Sequence, residues 1–159
     1  MTATTLDLID RKIVSALMHD ATQPIGRIAD QVGLSQTPCW KRIQKLEAAG
    51  VLTGRVAIAD PAKLGLGLTV FAGVEAPDHS PEWRAGFERA LAAMPEVREV
   101  YRMAGVYDYL LQIVARDVGA FDEFYKRLTT LVKVKSCSSL FVLERLKATP
   151  GYPVDTTTR

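Results

Sequence analysis

The chain has 159 residues, a net charge of only +2, two cysteines and two histidines. That length allows one domain or two small ones, and the small net charge excludes a polycation that holds nucleic acid by bulk charge. Widely separated cysteines and histidines exclude a zinc site, no apolar run reaches membrane-spanning length, and the thiols with no leader pattern lead us to expect a reducing, bacterial-type cytoplasm.

In chain order, the first predicted helix is Leu6 to Met18, where Leu6, Ile9, Ile13 and Leu17 recur at helical spacing and Asp7 lies at the start. Ile25 to Val32 is the second. Gly33 then supplies the backbone freedom of a sharp turn, and Leu34 fills the angle between helices. The third helix is expected over Pro38 to Ala49, with Thr37 as N-cap and Pro38 in the first helical position, where a missing N–H costs nothing. Ser35 is the alternative cap, one frame earlier. Cys39, Ile43 and Leu46 form one apolar stripe, while Lys41, Gln44 and Lys45 point the other way. Gly50 ends the helix. A small Ala29 four residues before the turn glycine and an apolar Cys39 six after it let two helices cross closely at a steep angle. That is the requirement of a helix-turn-helix.

Between Ser35 and Arg55 four basic residues face one acidic one, so local charge would attract phosphates. An ordinary surface helix would give no reason for the glycine, the small residue and the apolar stripe to share one register. Residues expected nearest DNA are Ser35, Gln36, Thr37, Trp40, Lys41, Arg42, Gln44 and Lys45, with Arg42 reaching a base edge or phosphate. For Trp40, beside the apolar stripe, packing is the commoner use and approach to DNA the alternative. Cys39 reads as a small buried hydrophobe.

Beyond Gly50, VLTGRVAIA reads as a short wing or linking strand, and the proline and two glycines of Asp60 to Gly67 mark a domain boundary. LTVFAGVEA (residues 68–76) is a buried strand and Pro81 to Met94 an amphipathic helix. Val97 to Met103 and Asp108 to Ala115 are strands turning at Gly105. Phe121, Phe124, Tyr125, Leu128 and Leu131 mark another helix, and Ser138 to Leu146 a last strand. The fold class is therefore α+β: a helix-turn-helix domain (1–53), a connecting strand and linker (54–67), a ferredoxin-like βαββαβ plait (68–148) and a tail (149–159). Its helix-free sheet face needs a cover, which favours a homodimer. The tail, rich in proline and threonine, is expected to be mobile unless a neighbouring subunit holds it. Cys137 reads as a plain strand thiol with a redox role as the alternative.

LDLIDRKIVSAL, GLSQTPCWKRIQKLEAAGVL, DPAKLGLGLTVF and MAGVYDYLLQI occur here in that order. Together they resemble the Lrp/AsnC (feast/famine) family of bacterial transcription regulators over nearly the whole length. TPCWKR, GLGLTVF, SPEW, MPEV and DEFYKRL resemble most closely its DecR-type branch, which responds to L-cysteine. The resemblance implies a cytoplasmic, nucleoid-associated regulator with a DNA-binding head, a plait of RAM type that senses an amino acid, dimers that assemble into octamers, and no cofactor. It also implies a pseudo-palindromic double-stranded operator and an effector pocket between dimers, at Met103, Ala104, Gly105, Tyr107 and Asp108, with Ser139 and Phe141 on the last strand.

The chemistry of those residues suits an amino acid. Asp108 can pair with an ammonium, and N–H groups near Gly105 can receive a carboxylate. The alternative is that GVYD is only a tight hairpin, with Tyr107 packing and Asp108 bonding the turn backbone. Competing functions are an architectural DNA-binding protein of low specificity, opposed by the modest charge, and a small amino-acid-binding enzyme. The sequence offers the latter no nucleophile with an adjacent base, no metal cluster and no phosphate-cradling loop.

Overall fold

The computed structural model describes residues 5–157, so the outer ends of the first and last expected segments lie outside the described residues. The chain divides into two compact units, one made of Met1–Ala57 with Leu146–Arg159 and the other of Ile58–Arg145.

The first unit is built on three helices, α1 (Leu8–His19), α2 (Ile25–Val32) and α3 (Gln36–Ala48). α1 begins two residues later than the periodicity predicts, because Asp7 is its cap. The Asp7 carboxylate accepts from Asp10 N at 2.7 Å, and Asp10 returns the contact to Asp7 N. Ile13, Val14, Leu17, Ile28, Ala29, Val32, Cys39, Ile43 and Leu46 form one buried core, with Leu34 packed against it. Gly33 is left-handed (φ +74°), and its neighbour's N–H, Leu34 N, closes on Ala29 O at 2.9 Å. Gly50, also left-handed at φ +69°, follows the end of α3.

α3 starts in the earlier of the two possible frames. Ser35 is the N-cap, and the first intrahelical bond runs from Cys39 N to Ser35 O at 3.2 Å. Pro38 thus sits third, among the initial N–H positions that have no partner inside a helix, so its missing donor still costs nothing. Thr37 is correspondingly helical and does not cap.

Two further expectations are corrected in this unit. Val51–Ala59 forms no strand: Val56 is 89% and Ile58 77% exposed, and no strand among the described residues pairs with this stretch. The described part of the tail, to Thr157, touches the head at two points without a neighbouring subunit. Val154 packs on the helical core, and Gly151 lies so close to Met18 that a Cβ there would stand 3.2 Å from the Met18 Cβ.

The second unit is the expected plait. Its elements are β1 (Leu68–Glu75), α4 (Pro81–Ala92), β2 (Val97–Arg102), β3 (Tyr109–Ala115), α5 (Val118–Leu131) and β4 (Ser136–Phe141), and the four strands form an antiparallel sheet in the order β2-β3-β1-β4. Val70, Ala72 and Val74 of β1 and Tyr109, Leu111, Ile113 and Ala115 of β3 face one side. Phe87 and Leu91 of α4 and Phe121, Phe124 and Leu128 of α5 close over them. Each such side chain contributes roughly 1.5–3 kcal/mol by leaving water. Ser80 caps α4 ahead of Pro81, and Asp117 caps α5 by accepting from Ala120 N at 2.8 Å. β4 runs two residues earlier and ends five earlier than predicted. Its ladder to β1 stops at Phe141, and Leu143 beyond it is fully exposed. An apolar stretch without a partner strand cannot satisfy its backbone as a sheet does.

Candidate functional site

The exposed side of α3 carries Thr37, Trp40, Lys41, Gln44 and Lys45 in one stripe at helical spacing. Trp40 is 40% exposed, so packing into the helical core is not its role. Lys41 and Lys45 have no carboxylate partner among the described residues. Ser35 lies at the start of α3 with its side chain making no capping bond. Gln36 lies over Gly26 of α2, where a Cβ would meet its Nε2 at 2.9 Å.

Arg42 differs from its neighbours. Its guanidinium donates to Asp7 at 2.6 Å and to Asp10 at 2.7 Å, tying α3 to the capping turn of α1. Asp10 is the one buried charged residue among those described, and Arg42 neutralises it. The bond from Asp10 N, with Arg42 second, holds the Asp7 carboxyl below the usual carboxylate range, and Asp7 and Asp10 together raise Arg42. The expectation that Arg42 reaches DNA is therefore not what this geometry offers. Aspartates at the start of α1 gave a signal for it in the sequence, but only folding brings them beside position 42.

In the plait, the β2–β3 hairpin places Met103, Ala104, Gly105, Tyr107 and Asp108 together. Met103 N donates to Asp108 O at 2.8 Å, and Asp108 N to Val74 O at 3.0 Å. Gly105 has no left-handed backbone and nothing close to it. The Asp108 carboxylate spends one oxygen on Ala76 N at 2.8 Å; the other lies 3.8 Å from His79 Nε2. With a third of its side chain exposed, Asp108 keeps acceptor capacity facing outward. Part of the hairpin alternative is thus realised, since Asp108 does bond backbone, though across to β1 and not within its own turn.

Ser139 and Phe141 do not join this hairpin. They stand opposite Ala72 and Val70 of β1, on the helix side of the sheet, where Phe141 packs edge-on against Phe121 at 5.4 Å. The β4 residues on the opposite face are Ser136, Ser138 and Leu140. Beside the hairpin lie residues that sequence reasoning missed: His79 from the β1–α4 loop, and Lys135, whose ammonium bonds Glu75 at 2.8 Å. Hydrogen bonds from Lys135 and Ser136 hold Glu75 below its ordinary range; Glu75, with Asp108 as a smaller cause, raises Lys135. No spacing in the sequence links position 79 or 135 to 108. Both cysteines are pushed up by burial, which disfavours the thiolate.

Residues 6–47 match the AsnC-type helix-turn-helix domain, and residues 69–152 match the Lrp/AsnC ligand binding domain. The chain belongs to the Lrp/AsnC family. It is 44% identical over 151 residues to the DNA-binding transcriptional activator DecR of Escherichia coli (strain K12), covering 94% of this chain and 99% of that one. A crystal structure of an AsnC family transcriptional regulator from Agrobacterium tumefaciens superposes with a TM-score of 0.91 at 43% identity, covering 96% of this chain and all of that one. A transcriptional regulator of Neisseria meningitidis, solved in complex with L-Met, has a TM-score of 0.89 at 32% identity, covering 94% and 97%. Like other members of the Lrp/AsnC family, this chain combines a DNA-binding head with a ligand-binding plait, and it is a transcription regulator. No helix among the described residues is long and apolar enough to cross a membrane.

Proposed function

We propose that this regulator inserts α3 into the major groove of a pseudo-palindromic operator and changes its DNA binding when an amino acid occupies the hairpin at residues 103–108. The observation that carries the DNA reading is the exposed Thr37–Trp40–Lys41–Gln44–Lys45 stripe, whose two lysines lack partners in the described chain. Gln44 reads a base and the lysines contact phosphates. Ser35 and Thr37, at the positive end of the helix, suit a phosphate oxygen. Arg42 holds the head together instead.

The hairpin suits an amino acid because Asp108 presents a partly exposed carboxylate for an ammonium. The DecR-type features of the sequence make L-cysteine the first effector to test, and the L-Met complex of the Neisseria regulator makes L-methionine the second. The helix-free sheet face, with Phe71, Leu110 and Leu140, is proposed to pack against a second copy, and such dimers to assemble further into octamers in a bacterial cytoplasm.

The experiment titrates L-cysteine, then L-methionine and the other standard amino acids, against wild type and Asp108→Asn bound to one promoter fragment. Asparagine can still accept from Ala76 N but carries no charge. Loss of the ion pair should weaken the effector response about ten- to a hundredfold, at roughly 1.5–3 kcal/mol for a charge-assisted bond. DNA affinity without effector should stay as in wild type. An Asp108→Asn protein that responds like wild type would show that the hairpin is only a turn.

A further inference from the structure

We infer that Gly73 is a positioning residue for the effector site, acting through Tyr107; the inference rests on the hairpin at 103–108 holding the effector. Gly73 lies inside β1, paired with Leu110 of β3 on one side and Ser138 of β4 on the other. A glycine inside a fully paired central strand weakens it, since it adds no side chain to pack and has more backbone freedom to lose. Its backbone gives no reason for the choice, because it is not left-handed.

The reason is steric. A Cβ at position 73 would stand 2.5, 2.6 and 2.7 Å from Cδ2, Cγ and Cε2 of Tyr107, closer than any real contact. The tyrosine ring therefore rests directly on the β1 backbone, on the sheet face away from α4 and α5. The hairpin is thereby keyed to β1 and the residue just after it at three points within four residues. The Tyr107 ring seats on Gly73, Asp108 N bonds Val74 O, and the Asp108 carboxylate bonds Ala76 N. Tyr107 and Asp108 are adjacent, so pushing the ring off its seat rotates the backbone that aims the carboxylate. The Tyr107 hydroxyl makes no hydrogen bond among the described residues, so the seat depends on the ring and not on its polar tip.

The test measures effector affinity by calorimetry for Gly73→Ala, Tyr107→Ala, Tyr107→Phe, the double Gly73→Ala/Tyr107→Ala and Asp108→Ala. The probe is whichever standard amino acid most raises the melting temperature of wild type. Promoter affinity without effector should not move, and a shifted elution volume in Gly73→Ala or Tyr107→Ala but not in Asp108→Ala would assign the ring to the interface between copies on that sheet face and overturn the positioning role. Gly73→Ala and Tyr107→Ala should each bind the probe at least tenfold more weakly, the double variant no more weakly than either alone, and Tyr107→Phe within twofold of wild type. If Gly73→Ala does not fold, the contrast between Tyr107→Ala and Tyr107→Phe still decides whether the ring positions the site. Wild-type affinity in Gly73→Ala or Tyr107→Ala, with Asp108→Ala impaired, overturns the positioning role and leaves the effector site standing. Equal losses in Tyr107→Phe and Tyr107→Ala also overturn it, because the hydroxyl would then be what the effector meets. Wild-type affinity in all five variants, or a wild type that no amino acid stabilises, removes the effector site itself and the inference with it.

Discussion

The head carries its proposed reading surface on one helix, whereas the plait assembles its proposed ligand site from β1, the β1–α4 loop, the β2–β3 hairpin and the start of β4. On α3, side chains four residues apart share a face by helical geometry alone, so Lys41 and Lys45 need nothing from the rest of the chain to stand side by side. In the plait, Asp108 gains its neighbours from residues about thirty positions away on either side, Ala76 and His79 before it and Lys135 after. A surface on a single element survives rearrangement elsewhere. A site built across four segments is sensitive to any shift among them.

Arg42 is the exception that sharpens the contrast, for it lies on α3 yet works as tertiary structure. Arg42→Ala should produce the largest effect, about 3 kcal/mol off the stability of the head, because it strands the buried Asp10 carboxylate. The two tryptophans, one in each unit, make this measurable: in a Trp83→Phe background, Trp40 fluorescence reports the head alone. A head as stable as wild type would return Arg42 to the DNA-facing set.

Next comes the Lys41→Ala/Lys45→Ala pair, expected to leave head stability unchanged and lower promoter affinity roughly tenfold per lysine near 0.1 M salt, shallowing the salt slope by about two. Effector binding to the plait should be untouched. A salt slope like that of wild type would mean that these lysines do not meet phosphates.

A smaller loss, about 1–2 kcal/mol, is expected when Val154→Asp puts a charge where the tail packs on the helical core. The Trp40 signal should shift and the Trp83 signal of the plait, read in a Trp40→Phe background, should not. If neither moves, the tail contributes nothing to the head.

The smallest effect is acid sensitivity of the head through Asp7. Its folded pKa lies below the ordinary value of 3.8, so its bonds stabilise the head fully above that pH. That contribution is lost as pH falls from 3.8 through the folded pKa. Asp7→Asn should therefore flatten the loss of head stability below about pH 4, read by Trp40 fluorescence.

The sequence by itself determined what depends on local repetition. α2, the turn at Gly33, the apolar stripe of Cys39, Ile43 and Leu46, and the existence of β1 and β3 as strands follow from local residue patterns, because each pattern lies within one element. It also carried both frames for the start of α3, since a proline is harmless anywhere in the first turn. Only the tertiary structure decided what depends on chain segments meeting. The pairing of Arg42 with Asp7 and Asp10 turned a basic residue on α3 into a brace. The β1–β4 register put Ser139 and Phe141 on the helix side and Ser138 on the other, a matter of one residue in a period of two. The seat of Tyr107 on Gly73 and the approach of His79 to Asp108 have no sequence signal, since contacts between distant segments are fixed by how the sheet closes and not by any spacing along the chain.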